Sequence, residues 1–375
     1  MSNTSSLPDF TSILTAFPLA GRYLSATPHG SGHINDTFAV AFDQAGTAVR
    51  YLLQRVNPRV FTDIPALMDN IARVTRHAAG RVAGHPDAAR RALGLVAATD
   101  GRPYHRDGEG GWWRCYHFIE RARSYDVVET PGHAAAAARA FGEFQRLLVD
   151  LPGARLRETI PGFHDTRRRF GAFQQALAAD AHGRAAGARA EIAFALQREP
   201  LVDVLLDLQA SGAIPERVTH NDAKLNNVML DTTTHEALCV VDLDTVMPGL
   251  ALNDFGDLVR SATNAAAEDE RDAGRVRARP EIFAALAEGY LASAGAFLNA
   301  TEVGHLAVSG LVITFEQGLR FLTDHLAGDT YYKIRRPGHN LERVVNQFAL
   351  VRSLDAQRGE MESTVRRLAA ATGRD

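Results

Sequence analysis

Arg217-Val-Thr-His220-Asn-Asp222-Ala-Lys224-Leu-Asn-Asn227-Val-Met-Leu-Asp231, followed after a turn by Leu238-Cys-Val-Val-Asp242-Leu-Asp244, is the stretch on which the reading of this chain depends. The runs Arg217–Thr219, Asn227–Leu230 and Leu238–Val241 read as short strands, and the polar residues between them as turns. Asp222 and Asn227 stand five residues apart. Asp242 leads out of the last apolar run, where a hairpin end can present a carboxylate. Taken singly, such residues are ordinary turn formers. A His two residues before the first Asp, an amide five after it and a second Asp beyond the next strand form a more specific set.

Working outward, the two sides of this stretch differ in character. Towards the N-terminus, after a short helical opening near Asp9–Phe17, Thr37–Phe42 alternates and meets the turn Asp43-Gln-Ala-Gly46. Val49–Val56 then completes a hairpin. Pro65 opens a helical pattern with Leu67, Met68, Ile71 and Val74 at helix spacing. A further strand pair is expected at Gly94–Thr99 and Trp112–Ile119. Beyond Glu120 the segments His133–Leu148, Arg167–Ala179 and Ala188–Leu208 are Ala-rich and periodic, and helices return from Ile282 to the end. Asp257 reads as opening a helix, with a capping or network role. Strands and helices in separate blocks predict an α+β fold, with a β-rich part at 1–120 and a helical part at 121–375.

Composition excludes several classes. The 375 residues carry a net charge of −3, so no basic field for nucleic acid is expected. Cys115 and Cys239 are too few and too far apart for a disulfide framework or zinc site, and read as buried thiols. No window approaches the roughly 18 apolar residues of a membrane span. The opening residues lack a signal-peptide pattern, so a soluble cytoplasmic protein is expected, as a monomer or small homo-oligomer.

The central stretch suits phosphoryl transfer from ATP. That reaction needs a carboxylate to orient or deprotonate the attacking hydroxyl, and oxygen ligands for the Mg2+ that neutralises the phosphates. Asp222 has the place of the base; Asn227 and Asp242 have those of the metal ligands. Asp244 is expected to support them without ligating.

His220-x-Asp222-x4-Asn227 with Val241-Asp242 resembles the paired motifs of the phosphotransferase family that includes aminoglycoside phosphotransferases, choline kinases and homoserine kinases. More narrowly, the chain resembles bacterial N-acetylhexosamine 1-kinases. The resembling blocks are Gly32–Thr37, Tyr51–Asn57, Pro65–Ile71, Tyr125–Glu129, Thr219–Asp222, Asp242–Gly249 and Asp254–Asp257. The resemblance implies a two-lobed protein-kinase-like fold, ATP with Mg2+, and phosphorylation of the anomeric hydroxyl of a free N-acetylhexosamine.

Within that frame, Gly30 and Gly32 belong to the phosphate-covering loop, and His33 in the same loop faces the acceptor. Gln54-Arg55 stand where a kinase carries its strand lysine; Arg55 is taken as the stand-in, with Asp69 as its acidic partner. Phe118 to Glu120 are expected to form the adenine-binding hinge. An Arg and a Tyr eleven residues apart bind sugar in the resembling kinases, which implies Arg320 and Tyr331 here. Two alternatives differ in outcome. An aminoglycoside or amino-alcohol kinase would want an acidic or aromatic-caged pocket, whereas the acceptor segment carries Arg320, Lys333, Arg335 and Arg336. A non-catalytic nucleotide-binding pseudokinase would have no use for the base Asp222.

Overall fold

The computed structural model describes residues 9–30 and 34–371. Gly32 and His33 therefore lie outside the described residues. The chain divides into two units, Met1–Ala122 and Arg123–Asp375.

The first unit begins with α1 (Phe10–Leu14), whose Thr11 amide donates to Asp9 Oδ1. β1 (Arg22–Pro28) pairs with β2 (Asp36–Gln44), and β2 with β3 (Thr47–Val56), all antiparallel. The expected hairpin is present. Gln44 faces Thr47 across a two-residue loop in which Ala45 and Gly46 both have positive φ, 52° and 87°. That is the backbone twist a tight hairpin needs. α2 (Ile64–Val82) starts where Pro65 indicated, with Asp63 accepting from the Ala66 amide. α3 (Ala88–Arg91), β4 (Leu95–Val96), β5 (His105–Arg106) and β6 (Trp112–His117) follow, giving the sheet order β1-β2-β3-β6-β4 with β5 also on β6. The Gly94–Thr99 run forms only the short β4.

Alternation sorts the two faces of this sheet. Phe38, Val40, Leu53, Trp113 and Cys115 pack with α1 in one core. Gln54 and Arg114 point to the other face, where Arg114 Nε donates to Gln54 Oε1 (2.9 Å) and its guanidinium reaches Met68 of α2. Because side chains alternate at every residue, Arg55 shares the Leu53 face and lies over the Trp113 ring at 5.9 Å.

β7 (Ala122–Arg123) marks the boundary, and the second unit follows with α4 (Pro131–Leu148) and α5 (Thr166–Ala179). The long helix expected over Ala188–Leu208 is broken instead. It becomes α6 (Arg189–Gln197), a 3-10 turn at Glu199–Leu201, and α7 (Val204–Ala210). Pro200 explains the break, since it has no amide hydrogen and its ring clashes with the preceding turn. β8 (Arg217–Thr219), β9 (Val228–Asp231), β10 (Ala237–Val240) and β11 (Met247–Gly249) carry the central motif. α8 (Ala251–Thr263), α9 (Pro280–Ala294), α10 (Ala300–Gly304), α11 (Leu306–Leu326) and α12 (His339–Ala371) complete the unit. α8 begins at Ala251, so Asp257 lies within it and does not cap it.

Small residues set the helix crossings that hold the motif. A Cβ at Gly289 of α9 would sit 2.2 Å from Ala135 O of α4, and one at Gly256 of α8 would sit 2.6 Å from Ser309 O of α11. The Ala-rich face of α4 thus serves close approach as well as helix propensity. Both cysteines are buried, and burial pushes each thiol up to about 12, as inert thiols require. Among the described residues, no helix is long and apolar enough to cross a membrane.

Candidate active site

The motif is built from two antiparallel pairs. β8 pairs with β11, setting Thr219 opposite Met247, and β9 pairs with β10, setting Val228 opposite Val240. Between β8 and β9 the chain turns sharply at Asn221, whose φ is +63°, a value that Asn tolerates better than most residues. Asn221 Nδ2 donates to Thr245 O (3.0 Å), and Thr219 Oγ1 donates to Asn221 Oδ1 (3.0 Å).

Asp254, in the first turn of α8, holds this turn from beneath. Its carboxylate accepts the amides of His220 (2.9 Å) and Asn221 (2.7 Å) and Nε2 of Gln145 from α4 (2.6 Å). Asp254 is fully buried; burial raises its pKa, partly offset by the N–H donors of His220, Asn221 and Gln145.

His220 is a second strut. Its Nδ1 accepts from the Asp222 amide (3.3 Å), so the proton resides on Nε2, which donates to Val241 O (2.9 Å). The ring stands edge-on to Phe141 and Phe144 of α4. One imidazole thereby ties the backbone at Asp222 to the residue preceding Asp242.

The structure brings Asp222 and Asn227 together. Asn227 Nδ2 donates to Asp222 O (2.8 Å) and approaches Asp222 Oδ2 (3.3 Å), which directs the amide oxygen away. The Val241 amide donates to Asn227 O (2.9 Å), placing Asp242 one residue beyond this link. Asp242 is exposed, with φ +60° and ψ +59°, a strained conformation for a non-glycine residue. Among the described residues, no group of three or more His, Cys, Asp or Glu side chains is arranged to hold a metal. Asn227 Oδ1 and the Asp242 carboxylate fit a hard cation that takes its remaining ligands from phosphate and water.

Lys224, quoted in the motif without a role, pairs with Asp222 at 3.0 Å (Nζ to Oδ1). The Asp222 side chain is 29% exposed. Burial pushes its pKa up, but the charge and hydrogen bond of Lys224, with Arg260 behind it, outweigh that and hold it below the usual carboxylate range. Asp222 is therefore an anion at neutral pH. Asp244 is buried in the turn after Asp242, and its carbonyl accepts from Thr159 Oγ1 (3.0 Å). Asp257 pairs with Arg260 (2.7 Å), which also meets Glu268 (3.1 Å).

His164 and its surroundings gave no signal in the sequence. His164 Nε2 lies 3.0 Å from Asn221 O, and Nδ1 lies 3.0 Å from Glu316 Oε1 of α11. Both partners are acceptors, so both ring nitrogens donate and the ring is an imidazolium. Burial opposes that charge, but Glu316 and the Asn221 carbonyl outweigh it and raise the pKa above its ordinary value. One turn on from Glu316, Arg320 lies over the rings of Phe163 (5.0 Å) and Tyr332 (5.7 Å), donates to Gln317 Oε1 and meets the Tyr331 hydroxyl. Arg169 donates to Phe163 O and also acts on Glu316. Arg320 and Tyr331 are thus brought together. Tyr331 is 63% exposed. Of the other basic residues of that segment, Arg336 is committed to Glu342 and Asp269.

In the first unit the expected nucleotide residues are less uniform. Gly30 has φ +78°. Phe118 is covered by the Arg50 guanidinium at 4.0 Å, and Arg50 forms a two-point ion pair with Glu120. Arg90 Nε donates to Glu120 O (3.1 Å), tying the expected hinge to α3. Arg55 and Asp69 are not brought together. Both are exposed, and among the described residues no ion pair joins them. Arg55 shares the α1 face of the sheet, whereas the basic group facing α2 is the buried Arg114.

A sequence model of the phosphotransferase enzyme family matches residues 25–298. Among solved structures, the chain is similar to an aminoglycoside phosphotransferase from Alicyclobacillus acidocaldarius, with 14% identity and a TM-score of 0.57 over 99% of this chain and 98% of that one. It is similar to a choline/ethanolamine kinase family protein from Mesorhizobium loti, with 18% identity and a TM-score of 0.51 over 96% and 98%. A spectinomycin phosphotransferase in complex with ADP and spectinomycin matches with 13% identity and a TM-score of 0.51 over 87% and 91%. At these identities the likeness shows the fold: the α+β class that the order of strands and helices predicts, in the protein-kinase-like form that the resemblance implies.

Proposed function

The chain belongs to the phosphotransferase enzyme family, and from that premise we propose that it transfers the γ-phosphoryl group of ATP to the anomeric hydroxyl of an N-acetylhexosamine. Phosphorylation of a small molecule follows from the family; the sugar is our reading. The observation that carries it is the charge around Glu316. His164, Arg169 and Arg320 all act on this one buried carboxylate, an excess of fixed positive charge. Such surroundings repel an ammonium-rich acceptor and suit a neutral one with hydroxyl and amide oxygens.

In this reading Asp222, held as an anion, accepts a hydrogen bond from the attacking hydroxyl and aligns it. Lys224 neutralises Asp222 and offers its ammonium to the transferring group. Asn227 and Asp242 would hold Mg2+, which when bound neutralises the phosphates. Arg320 and Tyr331 contact the sugar. Gly30 and the backbone from Phe118 to Glu120 are assigned to the nucleotide. Arg55 keeps a phosphate-binding role only without Asp69. The protein's task is mostly positioning and charge placement.

A second reading is favoured by the structural neighbours, which include an aminoglycoside and a choline/ethanolamine kinase type. An acceptor panel of N-acetylglucosamine, N-acetylgalactosamine, kanamycin, spectinomycin, choline and ethanolamine, followed by ADP release, separates the two. The expected result is turnover of an N-acetylhexosamine, with phosphorus NMR placing the phosphate on C1. Turnover of an aminoglycoside or amino alcohol alone would overturn the sugar.

A further inference from the structure

Glu316 is 1% exposed, and its two carboxylate oxygens are treated differently by the fold. Oε1 receives His164 Nδ1 at 3.0 Å, whereas Oε2 is buried with no hydrogen-bond partner. An unpaired oxygen on a buried anion is among the more costly arrangements a protein can keep. The neighbouring donors are committed elsewhere. His164 spends its other nitrogen on Asn221 O, Arg320 donates to Gln317, and Arg169 donates to Phe163 O. None of these bonds reaches Oε2.

The location of Glu316 is as telling as its unpaired oxygen. Through His164 it is two hydrogen bonds from the carbonyl of Asn221, the residue before Asp222. Along α11 it is four residues from Arg320, hence on the same helix face. It therefore stands where the proposed phosphoryl-transfer loop and the proposed sugar contacts meet.

We infer that Glu316 Oε2 accepts a hydrogen bond from a ring hydroxyl of the acceptor, other than the one phosphorylated, making Glu316 a substrate-binding and specificity-determining residue. The inference rests on the acceptor reading above in one respect, that the acceptor binds beside Arg320. It adds a chemical demand: the ligand must donate to a carboxylate and accept from a guanidinium one helical turn away along α11. A polyhydroxy compound carrying an acetamide does both.

The test is a cycle of one protein change against one substrate change. Glu316→Gln is compared with wild type on N-acetylglucosamine and its 3-, 4- and 6-deoxy analogues. Wild-type kcat/KM is expected to fall about 10–100-fold for the analogue lacking the bonded hydroxyl. Glu316→Gln should lose a similar factor on the parent sugar, with the ATP KM unchanged, and lose little more on that analogue. Losses that multiply for every analogue would overturn the inference. Should Glu316→Gln fail to fold, the wild-type enzyme still decides. Saturating sugar without nucleotide should shift the His164 Nδ1–H proton resonance, because a hydroxyl on Oε2 draws charge from the carboxylate. An unmoved resonance would overturn the inference. If wild type phosphorylates only a different hydroxylated acceptor, the sugar reading falls, and the same cycle on that acceptor's deoxy analogues tests Glu316.

Discussion

Two loops of the second unit are held by the same device and put to different uses. The turn at His220–Asp222 is gripped by Asp254, which accepts the His220 and Asn221 amides and Gln145. The turn at Thr330–Tyr332 is gripped by Asp324, whose oxygens accept the amides of Thr330, Tyr331 and Tyr332 and Nδ2 of Asn340. Each is one buried carboxylate collecting backbone N–H groups. In the first loop the functional side chain is tied down as well, since Asp222 meets Lys224 and Asn227. In the second, the backbone is pinned while Tyr331 stays largely in solvent. The lesson is that the fold immobilises the proposed reacting group itself, whereas at Tyr331, the proposed sugar contact, it secures only the platform.

This contrast can be broken by mutation. The largest effect is expected for Asp222→Asn, which keeps the shape and removes the anion. Turnover should fall about 10²–10⁴-fold with little change in melting temperature, measured by ADP release and calorimetry. Near wild-type turnover would refute the role of the first loop. Next, Asp254→Ala orphans the His220 and Asn221 amides together with Gln145. It should cost about 3 kcal/mol or more in urea unfolding and lower kcat with it.

Asp324→Ala sharpens the distinction between the loops. A stability loss of about 2–3 kcal/mol is expected, since Asn340 also bonds Asp329 and retains part of the network. Its kinetic signature should be a raised acceptor KM with kcat much less affected. Equal effects of the two Asp substitutions on kcat would dissolve the comparison.

The smallest effect is a pH dependence. His164 has a folded pKa above its ordinary 6.5. Its contribution to stability is therefore complete below about that value and is lost as pH rises through the folded pKa. Wild type should lose up to about 1.4 kcal/mol per unit of pKa shift over this window. His164→Gln should be flatter there when urea midpoints are compared across pH. Identical slopes would show that the imidazolium is not held as the hydrogen bonds indicate.

Much of this was legible in the residues. The β2–β3 hairpin follows from alternation and from Asp43–Gly46, and α2 follows from Pro65 with its periodic apolar residues. Asp222 and Asn227, at a spacing of five, are brought into hydrogen-bond contact. Other readings failed where local pattern competes with a local constraint. Ala188–Leu208 is periodic enough for one helix until Pro200 interrupts it. The pairing of Arg55 with Asp69 fails because strand alternation turns Arg55 to the Trp113 face, and Arg114 faces α2 instead.

By itself, the sequence determined the separation of a β-rich block from a helical one, the family, and the identity of the motif around Asp222, because each depends on residues close along the chain. The tertiary structure decided which distant residues serve that motif. Asp254 lies 34 positions from His220, His164 lies 57 from Asn221, and Glu316 lies 152 from His164. None of these pairings leaves a periodicity or spacing to read. They exist because α4, α8 and α11 pack closely enough to bury carboxylates, and a buried carboxylate must find donors wherever the fold supplies them.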